Sequence, residues 1–79
     1  MERELTYGEK AVGLTFNPGN VPDVSLVKTA YAVLINNMDE LRRTANAAGK
    51  PEQARLASIA ITEAQTAQMW AVKALTWKD

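Results

Sequence analysis

PDVSLVKTAYAVLINNMDELRRTANAAG, residues 22–49, is the stretch that decides the fold. Apolar side chains recur at Val24, Val27, Tyr31, Leu34, Met38, Leu41 and Ala45, in steps of 3, 4, 3, 4, 3 and 4. An α-helix turns once every ~3.6 residues, so this series lays a seam along one side of a long amphipathic helix. Pro22 suits a first helical turn, Asp23 sets negative charge at the positive end of the helix dipole, and Gly49 offers a left-handed stop after Ala48. The spacing predicts a helix at about 22–47.

Lys50-Pro51-Glu52 restarts helix at once, and no further glycine or proline precedes Asp79, so a second helix is expected at about 51–77. So short a connection folds the pair into an antiparallel two-helix hairpin, each arm about 36 Å long for about 24 residues. The fold class is therefore all-α, a single domain over residues 1–79 with an N-terminal arm at 1–20. The second helix carries a small-residue stripe, Ala57, Ala60, Ala64, Ala67, Ala71 and Ala74, flanked by Leu56, Ile59, Trp70 and Trp77 on one side and Ile61, Val72 and Leu75 on the other. The first helix adds Leu26, Val33 and Ile35 beyond its seam. One partner helix cannot cover apolar surface on so many sides. Burying a large apolar side chain contributes about 1.5–3 kcal/mol, so several such residues set the assembly state, and a closed homo-oligomer is expected.

With 79 residues the chain buries a modest share of its surface, which makes partner chains a natural source of stability. It has no cysteine and no histidine, which argues against disulfides, thiolate chemistry and a zinc or iron site. Nine basic and nine acidic residues cancel, so the chain lacks the positive field of a protein that coats DNA or RNA. The longest strictly apolar run, Ala30–Ile35, is too short for a membrane span or a signal-peptide core, and a soluble intracellular protein is expected.

Catalysis is poorly supplied. Without His or Cys, a general base must be a carboxylate, lysine or tyrosine, and Glu63, the acid set among the apolar positions of the second helix, reads instead as a buried structural carboxylate or a subunit contact. Arg42 and Arg43 complement the dipole at the end of the first helix. The N-terminal arm is different. Tyr7 and Phe16 offer flat faces on which bases stack for roughly 1–3 kcal/mol each, and Lys10 and Lys28 offer point charges to phosphate. The Asn17-Pro18-Gly19-Asn20 turn feeds directly into a helix N-terminus, a ready anion site. The same residues also suit a plainer role, with Tyr7 and Phe16 capping the hairpin core.

ELTYGEKAVGLTFNPGN (residues 4–20), VSLVKTAYAVLI (24–35) and ITEAQTAQMWAVKALTW (61–77) together resemble the phage anti-CBASS and anti-Thoeris α-hairpin proteins, small sponges that sequester immune signalling nucleotides. The resemblance implies a hexamer of hairpins that acts in the cytoplasm of the infected bacterial host. It would bind cyclic dinucleotides, cyclic trinucleotides or cyclic ADP-ribose isomers at subunit interfaces without cleaving them, and would engage neither nucleic-acid polymers nor membranes. By position, Tyr7 looks like the stacking aromatic, and Asn17 with Pro18, Gly19 and Asn20 like the base- and phosphate-facing loop; Phe16 and Ser25 fall in the same ligand-binding set. Some members have a basic contact in that loop where this chain has Pro22 and Asp23, so Lys10, Lys28 or a neighbouring subunit must substitute. Arg55 is a candidate for a separate cyclic trinucleotide site. An isologous dimer offering Tyr7 from each chain matches the approximate two-fold axis of a cyclic dinucleotide, and on this reading the arm stays off its own core to reach a neighbour. A structural adaptor whose arm merely latches neighbouring hairpins is the alternative, with an enzyme that degrades the messenger behind it.

Overall fold

The computed structural model describes residues 3–79; Met1 and Glu2, the start of the arm, lie outside the described residues. Three helices follow in order: α1 (Tyr7–Ala11), α2 (Pro22–Ala47) and α3 (Pro51–Leu75), with no strand among the described residues. Both long helices open on proline, where the missing N–H has no helical partner to lose. Between them Gly49 adopts φ 69°, the Lys50 N–H reaches the Ala45 carbonyl at 2.8 Å and the Gly49 N–H reaches Asn46 at 3.2 Å. This reversal satisfies the last carbonyls of α2 and turns the chain back on itself. At the far end Thr76 closes α3, its N–H and Oγ1 both donating to the Val72 carbonyl at 3.0 and 2.9 Å.

The arm does not stay off its own core. Thr6 and Glu9 form a reciprocal cap: the Glu9 N–H donates to Thr6 Oγ1 at 3.1 Å and the Thr6 N–H donates to Glu9 Oε1 at 2.8 Å. Arg3 grips the same carboxylate with two bonds of 2.7 and 2.9 Å. Gly13 (φ 62°) ends α1 as Gly49 ends α2, with the Leu14 N–H returning to the Glu9 carbonyl at 3.0 Å. Gly8 lies so close to α2 that a Cβ there would run into the Ala32 carbonyl oxygen, and its N–H donates to Asn36 Oδ1 at 2.8 Å. Asn36 Nδ2 in turn donates to Thr6 Oγ1 at 3.1 Å. Val12, 4% exposed, joins Ala32, Ile35, Ile61 and Ala64 in the core, with Leu14, Tyr31 and Met38 packed against it.

Docking of the arm turns the buried face of α2 away from the heptad seam. Buried positions are Val24, Lys28, Ala32, Ile35, Asp39 and Ala45; Ile35 is fully enclosed, whereas Leu34 in the seam is 46% exposed. Two charged residues sit on this face because each is satisfied locally, Lys28 by backbone carbonyls and Asp39 by Arg42 and Arg43. The two arginines thus serve Asp39 rather than the helix dipole. On α3 the buried stripe is Ala54, Ala57, Ile61, Ala64 and Gln68. It shares Ala57 and Ala64 with the alanine stripe but leaves Ala67, Ala74 and Glu63 exposed. Seating Ile61 rather than Ala67 removes more apolar area from water, which favours this rotation, and Glu63 is a surface carboxylate.

The body is flat and open. Its Cα trace spans 48 × 36 × 12 Å, with a radius of gyration of 14.3 Å against about 12 Å for a compact domain of this length. The accessible surface of 5698 Å² exceeds by about 1,000 Å² the roughly 4,700 Å² of a folded monomer of this mass. Leu56, Ile59 and Trp70 are exposed along α3, on the side away from its buried stripe, and Trp77 is exposed just beyond its end.

Candidate functional site

Beyond Gly13 the chain crosses the start of α2, where Lys28 organises it. The Lys28 ammonium donates to the carbonyls of Gly13 at 2.9 Å and Phe16 at 2.6 Å, and stands 5.7 Å from the centre of the Phe16 ring. The side chain is 5% exposed and has no ion-pair partner among the described residues. Asn17 then closes the loop: its Nδ2 donates to the Val21 carbonyl at 2.9 Å and to Ser25 Oγ at 3.2 Å, while its Oδ1 accepts the Val21 N–H at 3.2 Å. The Asn20 N–H returns to the Asn17 carbonyl at 2.9 Å, and Asn20 itself takes a left-handed φ of 51°. Pro22 has no N–H and the Val24 N–H folds back on Val21, so the start of α2 presents fewer free amides than an unproline-led helix offers.

This loop faces the end of α3 across a cavity of about 500 Å³ whose wall includes Phe16, Asn17, Gly19, Lys28, Leu75 and Trp77. Of the residues picked out in the sequence, Phe16, Asn17, Pro18, Gly19 and Lys28 meet here, with Asn20 and Ser25 bonded into the same loop. Val72, Leu75 and Trp77 also line the cavity, although in the sequence they read only as apolar flanks of the second helix. Antiparallel pairing puts the last turn of α3 beside the first turn of α2, and that geometry was the signal available for finding them.

The other three candidates lie elsewhere. Lys10 borders a second groove of about 580 Å³ between the end of α1 and α3, shared with Phe16, Lys28, Gln65, Gln68 and Met69. Tyr7 stands at the opposite end of the arm from Phe16, 42% exposed, with the Arg42 guanidinium 5.4 Å from its ring centre. Arg55, near the start of α3, is engaged with Glu52 through bonds of 3.0 and 2.5 Å. Glu9 and Asp39 are held by arginines: hydrogen bonds from Arg3 and the Thr6 backbone pull Glu9 down to about 2, and Arg42, then Arg43, hold Asp39 below the usual carboxylate range.

The result is a helical hairpin with an anchored arm, with the Tyr7 and Phe16 rings exposed and a cavity between the Asn17 loop and the end of α3. Residues 9–76 match the family described as Acb2/Tad1, hairpin domain, and the chain belongs to that family of phage anti-CBASS and anti-Thoeris sponges. Its members are anti-defence binding proteins for cyclic nucleotide signals rather than enzymes. No curated protein and no solved structure gives a significant match. No helix of the described residues is long and apolar enough to cross a membrane.

Proposed function

We propose that the chain binds cyclic oligonucleotide or cyclic ADP-ribose immune signals in the cytoplasm of the infected bacterium and holds them intact, so that free messenger falls and effector activation is blocked. The observation that carries this reading is Lys28: a buried ammonium, bonded to two carbonyls and with no carboxylate partner among the described residues, in the wall of a cavity bordered by Phe16 and the Asn17–Gly19 turn. A buried charge without a counter-ion favours an anionic occupant, and a phosphodiester or pyrophosphate ring supplies one. The turn gives backbone approach and the Phe16 ring gives a stacking face.

The messenger is held between copies of the chain. Tyr7 and the Phe16 loop lie at opposite ends of the arm, so each copy offers two partial sites rather than one closed pocket. The surplus of about 1,000 Å² of accessible surface is close to the roughly 800 Å² each partner buries in a stable interface, and exposed Leu56, Ile59, Trp70 and Trp77 supply its apolar share. A hexamer is the assembly proposed. The sink needs no turnover, since depletion follows from affinity and protein concentration alone.

The test is incubation with cyclic di- and trinucleotides and cyclic ADP-ribose isomers, removal of unbound compound by gel filtration, heat release and chromatography. Recovery of intact compound is the expected result. Altered compound means an enzyme, and none retained means an adaptor whose arm is a structural latch.

A further inference from the structure

Tyr7 does not stand alone on the surface. The Arg42 guanidinium lies over its ring, 5.4 Å from the centroid, and is itself held by one residue of its own helix and one of α3. Arg42 Nη2 donates to Asp39 Oδ1 at 2.6 Å, and Arg42 Nη1 reaches Ser58 Oγ on α3 at 3.4 Å. Asp39 is 7% exposed and also takes Arg43 Nη2 at 2.7 Å, so the carboxylate stays neutralised by two cations while one of them covers the tyrosine. One guanidinium thereby joins α1, α2 and α3 at a single point.

We infer that Arg42 is a positioning residue that backs one face of the Tyr7 ring and presents the opposite face to a ligand base. The inference rests on the proposed role of Tyr7 in stacking and adds how that role is prepared. A guanidinium is planar and stacks well on an aromatic face, and its remaining N–H groups hold the fork in place. The ring therefore loses its rotamer freedom before the ligand arrives, and binding does not bear that cost. The feature that makes Arg42 suited to this is its anchoring: a free surface arginine has no fixed plane, whereas the Asp39 and Ser58 contacts define one. Arg43 takes the other carboxylate oxygen of Asp39, so the two arginines do not compete for one acceptor.

The experiment labels the protein with 3-fluorotyrosine and reads Tyr7 by ¹⁹F NMR, its resonance assigned by Tyr7→Phe. Affinity is measured by calorimetry for cyclic GMP–AMP, cyclic di-AMP, a cyclic triadenylate and a cyclic ADP-ribose isomer. Arg42→Gln is expected to narrow the Tyr7 resonance, move it toward the free amino acid and weaken binding of the tightest of these compounds roughly two- to tenfold, with the oligomer mass retained. Arg42→Lys keeps a cation near the ring but has no planar fork to be anchored, so it is expected to recover only part of the lost affinity. Ser58→Ala, which removes only the α3 anchor, gives a smaller change in the same direction and carries the test if Arg42→Gln does not fold. An unchanged Tyr7 resonance and unchanged affinity in Arg42→Gln, or in Ser58→Ala when that variant carries the test, overturn the inference. So does full recovery of affinity in Arg42→Lys, which has the charge without the fork. Tyr7→Ala separates the two claims: if it leaves binding intact, the stacking role itself is wrong, whereas full loss in Tyr7→Ala with none in Arg42→Gln rejects Arg42 alone. If no compound is retained by the native protein, the ligand reading falls, and the ligand-free ¹⁹F comparison still decides whether Arg42 holds the ring.

Discussion

Gly8→Ala adds one methyl group, and its effect has the opposite sign to the one helix propensity assigns. In an open helix the change stabilises by about 1 kcal/mol. At Gly8 the new Cβ would meet the Ala32 carbonyl and lie 2.8 Å from Asn36 Oδ1, and the first of these is backbone that cannot turn aside. Holding α1 in place then costs about 1–3 kcal/mol of overpacking. Letting it lift away forfeits the 2.8 Å bond from Gly8 to Asn36, about 1 kcal/mol, and roughly half the burial of Val12, about another 1 kcal/mol. Either route loses about 2 kcal/mol, and subtracting the propensity gain leaves a net destabilisation of about 1 kcal/mol. For a domain of this size that lowers Tm by about 4–8 °C. Thermal unfolding followed by circular dichroism, at one fixed protein concentration because association shifts Tm, reads the change, and hydrogen exchange at Gly8–Val12 locates it. A Tm that rises by several degrees would refute the close approach of α1 to α2.

Ile35→Ala, at the one fully enclosed large side chain, should cost about 2–5 kcal/mol in urea unfolding, with Leu34→Ala costing less because Leu34 is half exposed. Glu9, held at about 2 against an ordinary 4.5, contributes stability that is complete above 4.5 and lost as pH falls toward 2. Exchange protection of the Thr6–Lys10 amides should drop across that window in the native chain and stay flat in Glu9→Gln; identical profiles would remove Glu9 as the cause. Trp70→Glu, on the exposed side of α3, should keep the helical signal while sedimentation shows a smaller particle, and an unchanged mass would place the subunit contact elsewhere. Tyr7→Ala should weaken messenger binding by about 1–3 kcal/mol, roughly five- to 150-fold in calorimetry, with no change in mass.

Pro22, Gly49 and Pro51 told where the two long helices begin and turn, because each of these residues has few backbone options. The first helix read at about 22–47 coincides with α2, and α3 stops two residues short of 77, at Leu75, where Thr76 turns onto Val72. The rotation of the helices was not legible. A count of apolar positions passes over Lys28 and Asp39, yet both are buried, since carbonyls from a distant loop and two arginines satisfy them. The alanine stripe of the second helix includes Ala67, which is exposed, and leaves Ile61, which is buried, on its flank. α1 was missed although its signal, Thr6 followed by Glu9 three residues on, was present; at five residues it leaves no periodicity to notice. For the candidate site, the local loop residues Phe16–Gly19 were visible in sequence, whereas Leu75 and Trp77 came from the other end of the chain.

The tether between the arm and Asn36 also sets an order of events on the ribosome. Gly8 and Thr6 bond to a side chain 28 and 30 residues downstream. At about 5–20 residues per second Thr6 and Gly8 are made some 1.5–6 s before Asn36 exists, whereas Lys28 follows Gly13 by only 15 residues. Val12 waits longer still, because Ile61 and Ala64 complete its surroundings. Thr6–Val12 is thus made ahead of every group of α2 and α3 that seats it, and a truncated product of stalled synthesis that ends before α2 carries Tyr7 and Phe16 with nothing to hold them.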